Sequence, residues 1–131
     1  MSSQIKSENL DYSKEEKELL AKARENMAKW IYDNVVPFIK NKIEIGWGGI
    51  FSNNGDSVHR WRAIVTKDGF FMSCEFGADK VLPNGKFEEH VLFPCNMTEQ
   101  CVKNWNEIKR KCLESVEKDK EYLSSLKNFE A

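Results

Sequence analysis

Two dipeptides, Asp68-Gly69 and Asn84-Gly85, limit what this chain can fold into more than any other feature. The tightest hairpin loops need positive φ at their central residues, which Asp-Gly and Asn-Gly supply at little cost. Both are flanked by alternating apolar residues, the period of a half-buried strand. If Asp68-Gly69 is a two-residue loop, Val65 faces Met72, Ala63 faces Cys74 and Trp61 faces Phe76. On the other face Arg62 then meets Glu75, an opposite-charge pair. If Asn84-Gly85 is a second such loop, Phe76 faces Phe93, Ala78 faces Val91, Asp79 faces His90 and Lys80 faces Glu89. The two loops yield one continuous apolar face, and a one-residue slip would destroy it. This reading makes the run from Phe70 one long strand that bends near Gly77, with Phe87, Val91 and Phe93 in the fourth strand.

A further strand precedes these, with Ile43, Ile45, Trp47 and Phe51 alternating before the turn-rich Ser52-Asn53-Asn54-Gly55-Asp56. An Asn-Gly loop there puts Gly48, rather than Trp47, opposite Trp61. Helices flank the strands. Ser13-Lys14-Glu15-Glu16 is a capping box, and Leu20, Ala23, Met27, Trp30, Ile31 and Asn34 follow at helical spacing. Pro37 ends or kinks this helix near residues 34–36. After Pro94, Asn96 or Thr98 caps a long last helix whose apolar stripe is Val102, Trp105, Ile108, Cys112, Val116, Leu123 and Leu126. The expected fold class is α+β in the order α-β-β-β-β-α. A four-stranded antiparallel meander has both helices packed on its Trp61/Met72/Phe76/Val91 face. Residues 1–12 read as a flexible tail and 13–131 as a single domain.

Composition narrows the function by exclusion. The 131 residues are 40 % hydrophobic and 31 % charged, as in one globular domain, and the net charge of −1 supplies no global field toward nucleic acid or an anionic membrane. No apolar run approaches the roughly 20 residues of a membrane span. The first residues lack the apolar core of a secretory signal, so a cytoplasmic location is expected. Cys74, Cys95, Cys101 and Cys112 form no C-x-x-C pair and read as free thiols in a reducing compartment.

No nucleophile elbow, zinc-protease, phosphate-loop or dinucleotide motif is present. Cys95 or Cys101 near the start of the last helix, with His90, is the one combination that would suit a thiol nucleophile. The bland reading is that these are small apolar thiols beside a sheet-surface histidine. The same three residues fall short of the four closely spaced ligands of structural zinc, so no metal and no cofactor are expected. Arg60-Trp61-Arg62 resembles a base-stacking element, but alternation turns Trp61 inward, away from its arginines, which argues against nucleic acid.

Two surfaces remain. The sheet's second face carries Arg60, Arg62, Ile64, Phe71, Ser73, Glu75, Glu88, His90 and Leu92. Ile64, Phe71 and Leu92 are more apolar than a solvated face needs, which makes Arg60, Arg62, Ile64, Phe71, Glu75 and Leu92 a candidate interface for a protein partner or a second copy. Scattered apolar surface residues are also ordinary. Separately, Gly48 and Gly49 beside Trp47 and Trp61 suggest a slot for a flat small molecule, against a plain bent strand making room for tryptophan. The leading expectation is a non-enzymatic inhibitor or adaptor, of the kind carried by phages and mobile elements. A small-ligand binder and a thiol-dependent enzyme stand behind it.

Overall fold

The computed structural model describes residues 12–50 and 58–130. Helix α1 (Lys14–Asn34) leads through a 3-10 turn (Val36–Phe38) to strands β1 (Ile43–Ile50), β2 (Val58–Thr66), β3 (Gly69–Cys74) and β4 (Gly77–Val81), then α2 (Pro94–Lys103) and α3 (Trp105–Lys127). The strands form one antiparallel meander in the order β1-β2-β3-β4. The α+β class and the helix-meander-helix order are therefore as the sequence indicates. The expected tail lies outside the described residues up to Asp11, as do Phe51 and the turn after it. Tyr12, the last residue of that tail, donates from its hydroxyl to Glu99 Oε1 on α2 (2.8 Å).

Ser13 caps α1 as expected, its hydroxyl accepting from the Glu16 amide (3.0 Å). Pro37, without an amide hydrogen, sits in the tighter 3-10 turn where the helix stops. Met27, Ala28 and Ile31 face the sheet and join Ile43, Ile45, Trp61, Ala63, Val65, Phe70, Met72 and Val81 in one core. Among the described residues, the helices pack on this side of the sheet.

The turns depart from the expected registers. Thr66 pairs with Gly69, so the first loop is Lys67-Asp68, and Val65 faces Phe70, Ala63 faces Met72 and Arg62 faces Ser73. The displacement is two residues, so every side chain keeps its face. Two contacts select this register. The Thr66 hydroxyl accepts from the Asp68 amide (3.0 Å), and Gly69, at φ +141°, sits against the Tyr32 hydroxyl where a Cβ would overlap it. The chain then reverses at Glu75-Phe76 instead of bending, because Gly77 adopts φ +138° and pairs with Cys74. The fourth strand is thus Gly77–Val81, and residues 87–93 are not a strand. Asn84-Gly85 does turn the chain: the Gly85 amide donates to the Leu82 carbonyl (2.8 Å) and the Leu82 amide to the Lys86 carbonyl (2.8 Å). Only one bridge, Val81 to Phe87, follows. Phe76 and Val91 consequently leave the core face. Phe76 is 64 % exposed, yet its ring still stacks on Phe93, centroids 5.5 Å apart. In the first hairpin Trp47, not Gly48, faces Trp61.

The last helix is two helices. Neither Asn96 nor Thr98 caps it: α2 starts at Pro94, and Thr98 is buried, donating to the Pro94 carbonyl (2.6 Å). Asn104 interrupts the ladder, its side chain donating back to the Gln100 carbonyl (2.8 Å). Of the expected stripe, Ile108, Cys112 and Val116 are buried, whereas Val102, Leu123 and Leu126 are exposed.

Gly85 combines φ +86° with a backbone against Glu25 of α1, which a Cβ would overlap, while a Cβ at Gly77 meets nothing within 4 Å. Gly85→Ala is therefore expected to cost about 2–3 kcal/mol and Gly77→Ala about 1 kcal/mol. Urea unfolding of the two variants checks the order; equal losses would mean that the Glu25 contact contributes nothing.

Candidate functional site

The side of the sheet on which no described helix packs is built from cross-strand rows. Glu44, Ile64, Phe71 and Lys80 form one, and Gly46, Arg62, Ser73 and Ala78 the next. Ile64 and Phe71 are directly paired and each is half-buried by its neighbours. Charges close both ends of the first row. In the second, Arg62 lies above Gly46 (Cγ 3.6 Å from where a Cβ would stand) and its Nε reaches Glu44 at 3.3 Å. Glu44 also takes Lys42 at 3.1 Å. The glycine leaves the lane along which the guanidinium crosses β1.

Arg62, Ile64 and Phe71 of the expected interface thus come together on one face. Glu75 does not oppose Arg62; it sits in the β3–β4 turn, because the shorter β3 ends at Cys74. Leu92 is exposed in the segment before α2, which is not a strand. There it lines a cavity of about 180 Å³ with Cys74, Phe76, Asp79 and His90. Burial, with Glu89 nearby, raises the Asp79 carboxyl above its usual range. Arg60 pairs with Gly48 in β2; its side chain lies outside the described residues.

The suggested slot is assembled differently. Trp47 turns to the helix side and its indole N–H donates to Gln100 Oε1 on α2 (3.1 Å). Trp61 is only 8 % exposed within the core. Gly48 and Gly49 lie in β1 opposite Arg60 and His59. The helix side instead carries a groove of about 340 Å³ lined by Ala23, Met27, Trp30, Val102, Trp105 and Lys109. Trp30 and Trp105 meet edge-on at 5.5 Å there. Sequence reasoning assigned both tryptophans to buried stripes; the break at Asn104, which sets Trp105 at the start of a new helix, was the missing element.

Burial raises all four thiols. Burial pushes Cys101 and Cys112 up to about 12. Burial also raises Cys95, with Lys17 and Arg24 opposing it. Cys74 is raised by burial too, against a hydrogen bond from the Phe76 amide (3.5 Å). Among the described residues no group of three His, Cys, Asp or Glu side chains is placed to hold a metal, and no helix is long and apolar enough to cross a membrane. Arg24, which sequence reasoning passed over, ties helix to turn: Nε donates to the Gly85 carbonyl (2.6 Å), Nη1 to Thr98 (3.0 Å), and the guanidinium lies over the Phe87 ring. Comparison of the chain with protein-family models, with curated proteins and with solved structures finds no match.

Folding holds the Cys101 and Cys112 thiols protonated, so above the ordinary thiol pKa of 9.0 the native state binds more protons than the unfolded one. Stability is fully present below pH 9 and falls as pH rises from there toward 12, by up to about 1.4 kcal/mol per unit for each thiol. Urea unfolding at pH 8 and pH 10 is expected to show this loss. A Cys101→Ala/Cys112→Ala variant, less stable at pH 8, should show a smaller fall between the two values.

Proposed function

We propose that this is a non-enzymatic binding protein that acts in the cytoplasm by covering a surface on another macromolecule, as small inhibitors and adaptors of phages and mobile elements do. One observation carries the reading: the face of the sheet on which no described helix packs holds the directly paired Ile64 and Phe71 between Glu44 and Lys80, with Arg62 alongside. An aromatic anchor beside an arginine, ringed by charge, is the composition of an interface centre. The net charge of −1 favours a protein over a nucleic acid as the covered molecule.

A small-ligand reading draws on a separate observation, the Trp30/Trp105 groove between α1 and α3, whose walls are largely apolar and whose rim holds Lys109. Catalysis by thiol finds no comparable support, since burial raises the Cys95 thiol and pushes Cys101 up to about 12.

The interface reading is tested on protein purified gently from its host, by native mass spectrometry with a protein partner retained. Phe71→Ala is expected to weaken that association by about 2 kcal/mol or more. Arg62→Glu, which sets a carboxylate against Glu44, should do the same with little loss of fold stability, because the Arg62–Glu44 pair is exposed. Retention of the partner by both variants would remove the open face from the interface.

A further inference from the structure

The two edges of the sheet are finished differently. β4 is a five-residue strand carrying Asp79 and Lys80. The returning chain overlies it: Phe87 bridges Val81, and the Glu88 amide donates to the Lys80 carbonyl (2.9 Å). Short length, charge and a covering segment are the means by which a sheet edge is kept from recruiting another strand. β1 is longer and carries less charge. It is eight residues long, it contains no proline, and its one charge, Glu44, stands next to its start. Among the described residues no strand pairs with its outer side. Alternate amides and carbonyls of β1 therefore point away from β2, with no strand among the described residues to receive them. Gly46, Gly48 and Gly49 let another backbone come close, and at Gly46 packing within the chain does not demand glycine, since a Cβ would make only ordinary contacts.

We infer that β1 is a self-pairing edge: two copies of this chain join β1 to β1 antiparallel about a dyad near Gly46 or Trp47, giving one continuous eight-stranded sheet. Three observations favour a second copy as the occupant. A dyad perpendicular to the sheet is the operation that pairs a strand antiparallel with itself, and it sets the helix layers of both copies on the same side. α3 packs on β1 and on the 3-10 turn, so it lies toward this edge of the helix layer. Past Val116 its apolar row continues through Leu123 and Leu126, each 52 % exposed, which a second α3 across the dyad would cover. Charge agrees with the pairing, because Glu44 of one copy then faces Gly48 or Ile50 of the other and no like charges meet. This edge shares Gly46 with the open sheet face, but its pairing runs through the β1 backbone and does not depend on what that face binds.

The test combines sedimentation velocity over a concentration series with amide hydrogen exchange on the full chain. The expected result is a concentration-dependent dimer in which alternate amides of Ile43–Ile50 exchange more slowly than in the dilute monomer. Gly46→Lys, which puts like charges at the dyad, should weaken the dimer several-fold, while Phe71→Ala, on the open face, leaves it intact. A monomer at every concentration overturns the proposal. So does a dimer whose β1 amides exchange as fast as in the monomer, or one that Gly46→Lys leaves unchanged. Should Gly46→Lys fail to fold, the exchange pattern of the unaltered chain decides.

Discussion

The Tyr32 hydroxyl is the point at which helix and sheet are fixed to one another. It donates to the Val81 carbonyl at 2.6 Å and accepts from the Phe70 amide at 3.2 Å, so one side chain of α1 joins the facing ends of β3 and β4. Each bond is worth only about 1 kcal/mol net, but together they set where the strands begin and end. Phe70 and Val81 are directly paired and fully buried, and Tyr32 closes the end of that pair. Gly69 has to be glycine because Tyr32 occupies the place of its Cβ. Arg24, two turns earlier on α1, does the equivalent for the turn at Gly85. With both in place α1 lies across the β3–β4 side, which leaves the β1 side to α3.

This explains how much of the fold was legible in the sequence. Which residues face inward was readable, since alternation in Trp61, Ala63 and Val65 and in Phe70, Met72 and Cys74 is a local property. Where the loops fall was not. Asp68-Gly69 has the composition of a two-residue loop, but a side-chain bond from Thr66 and a contact with a residue 37 positions earlier move the loop by one residue. Gly77 was visible as an irregularity, and only its positive φ separates a full reversal from a bend. Once the chain reverses there, residues 87–93 have no strand of their own to form; they are spent covering the edge of β4 and delivering Phe93 to Phe76.

The candidate surface follows the same division. Arg62, Ile64 and Phe71 share a face because face assignment survives a two-residue change of register. Leu92 and Glu75 depended on the length of β3 and the existence of a strand at 87–93, and they moved with those elements. The Trp30/Trp105 groove was hidden for a different reason. A helical stripe records which residues tend inward, but not where a helix breaks, and Asn104 turns one expected helix into two.

Gly46 shows why a single glycine admits opposite readings. Glycine weakens a strand by roughly 0.5–1 kcal/mol relative to alanine, so its repeated use in β1 calls for a cause. A ligand slot requires free indole faces beside it, yet Trp47 is held by Gln100 and Trp61 is buried. The Arg62 lane accounts for the absence of a large side chain at Gly46, but not for the absence of a methyl, which would fit. What is left is the strand's outer side. A long, nearly uncharged edge is a hazard on a sheet whose opposite edge is covered. Selection against aggregation would place a lysine or a proline there unless that edge is itself in use.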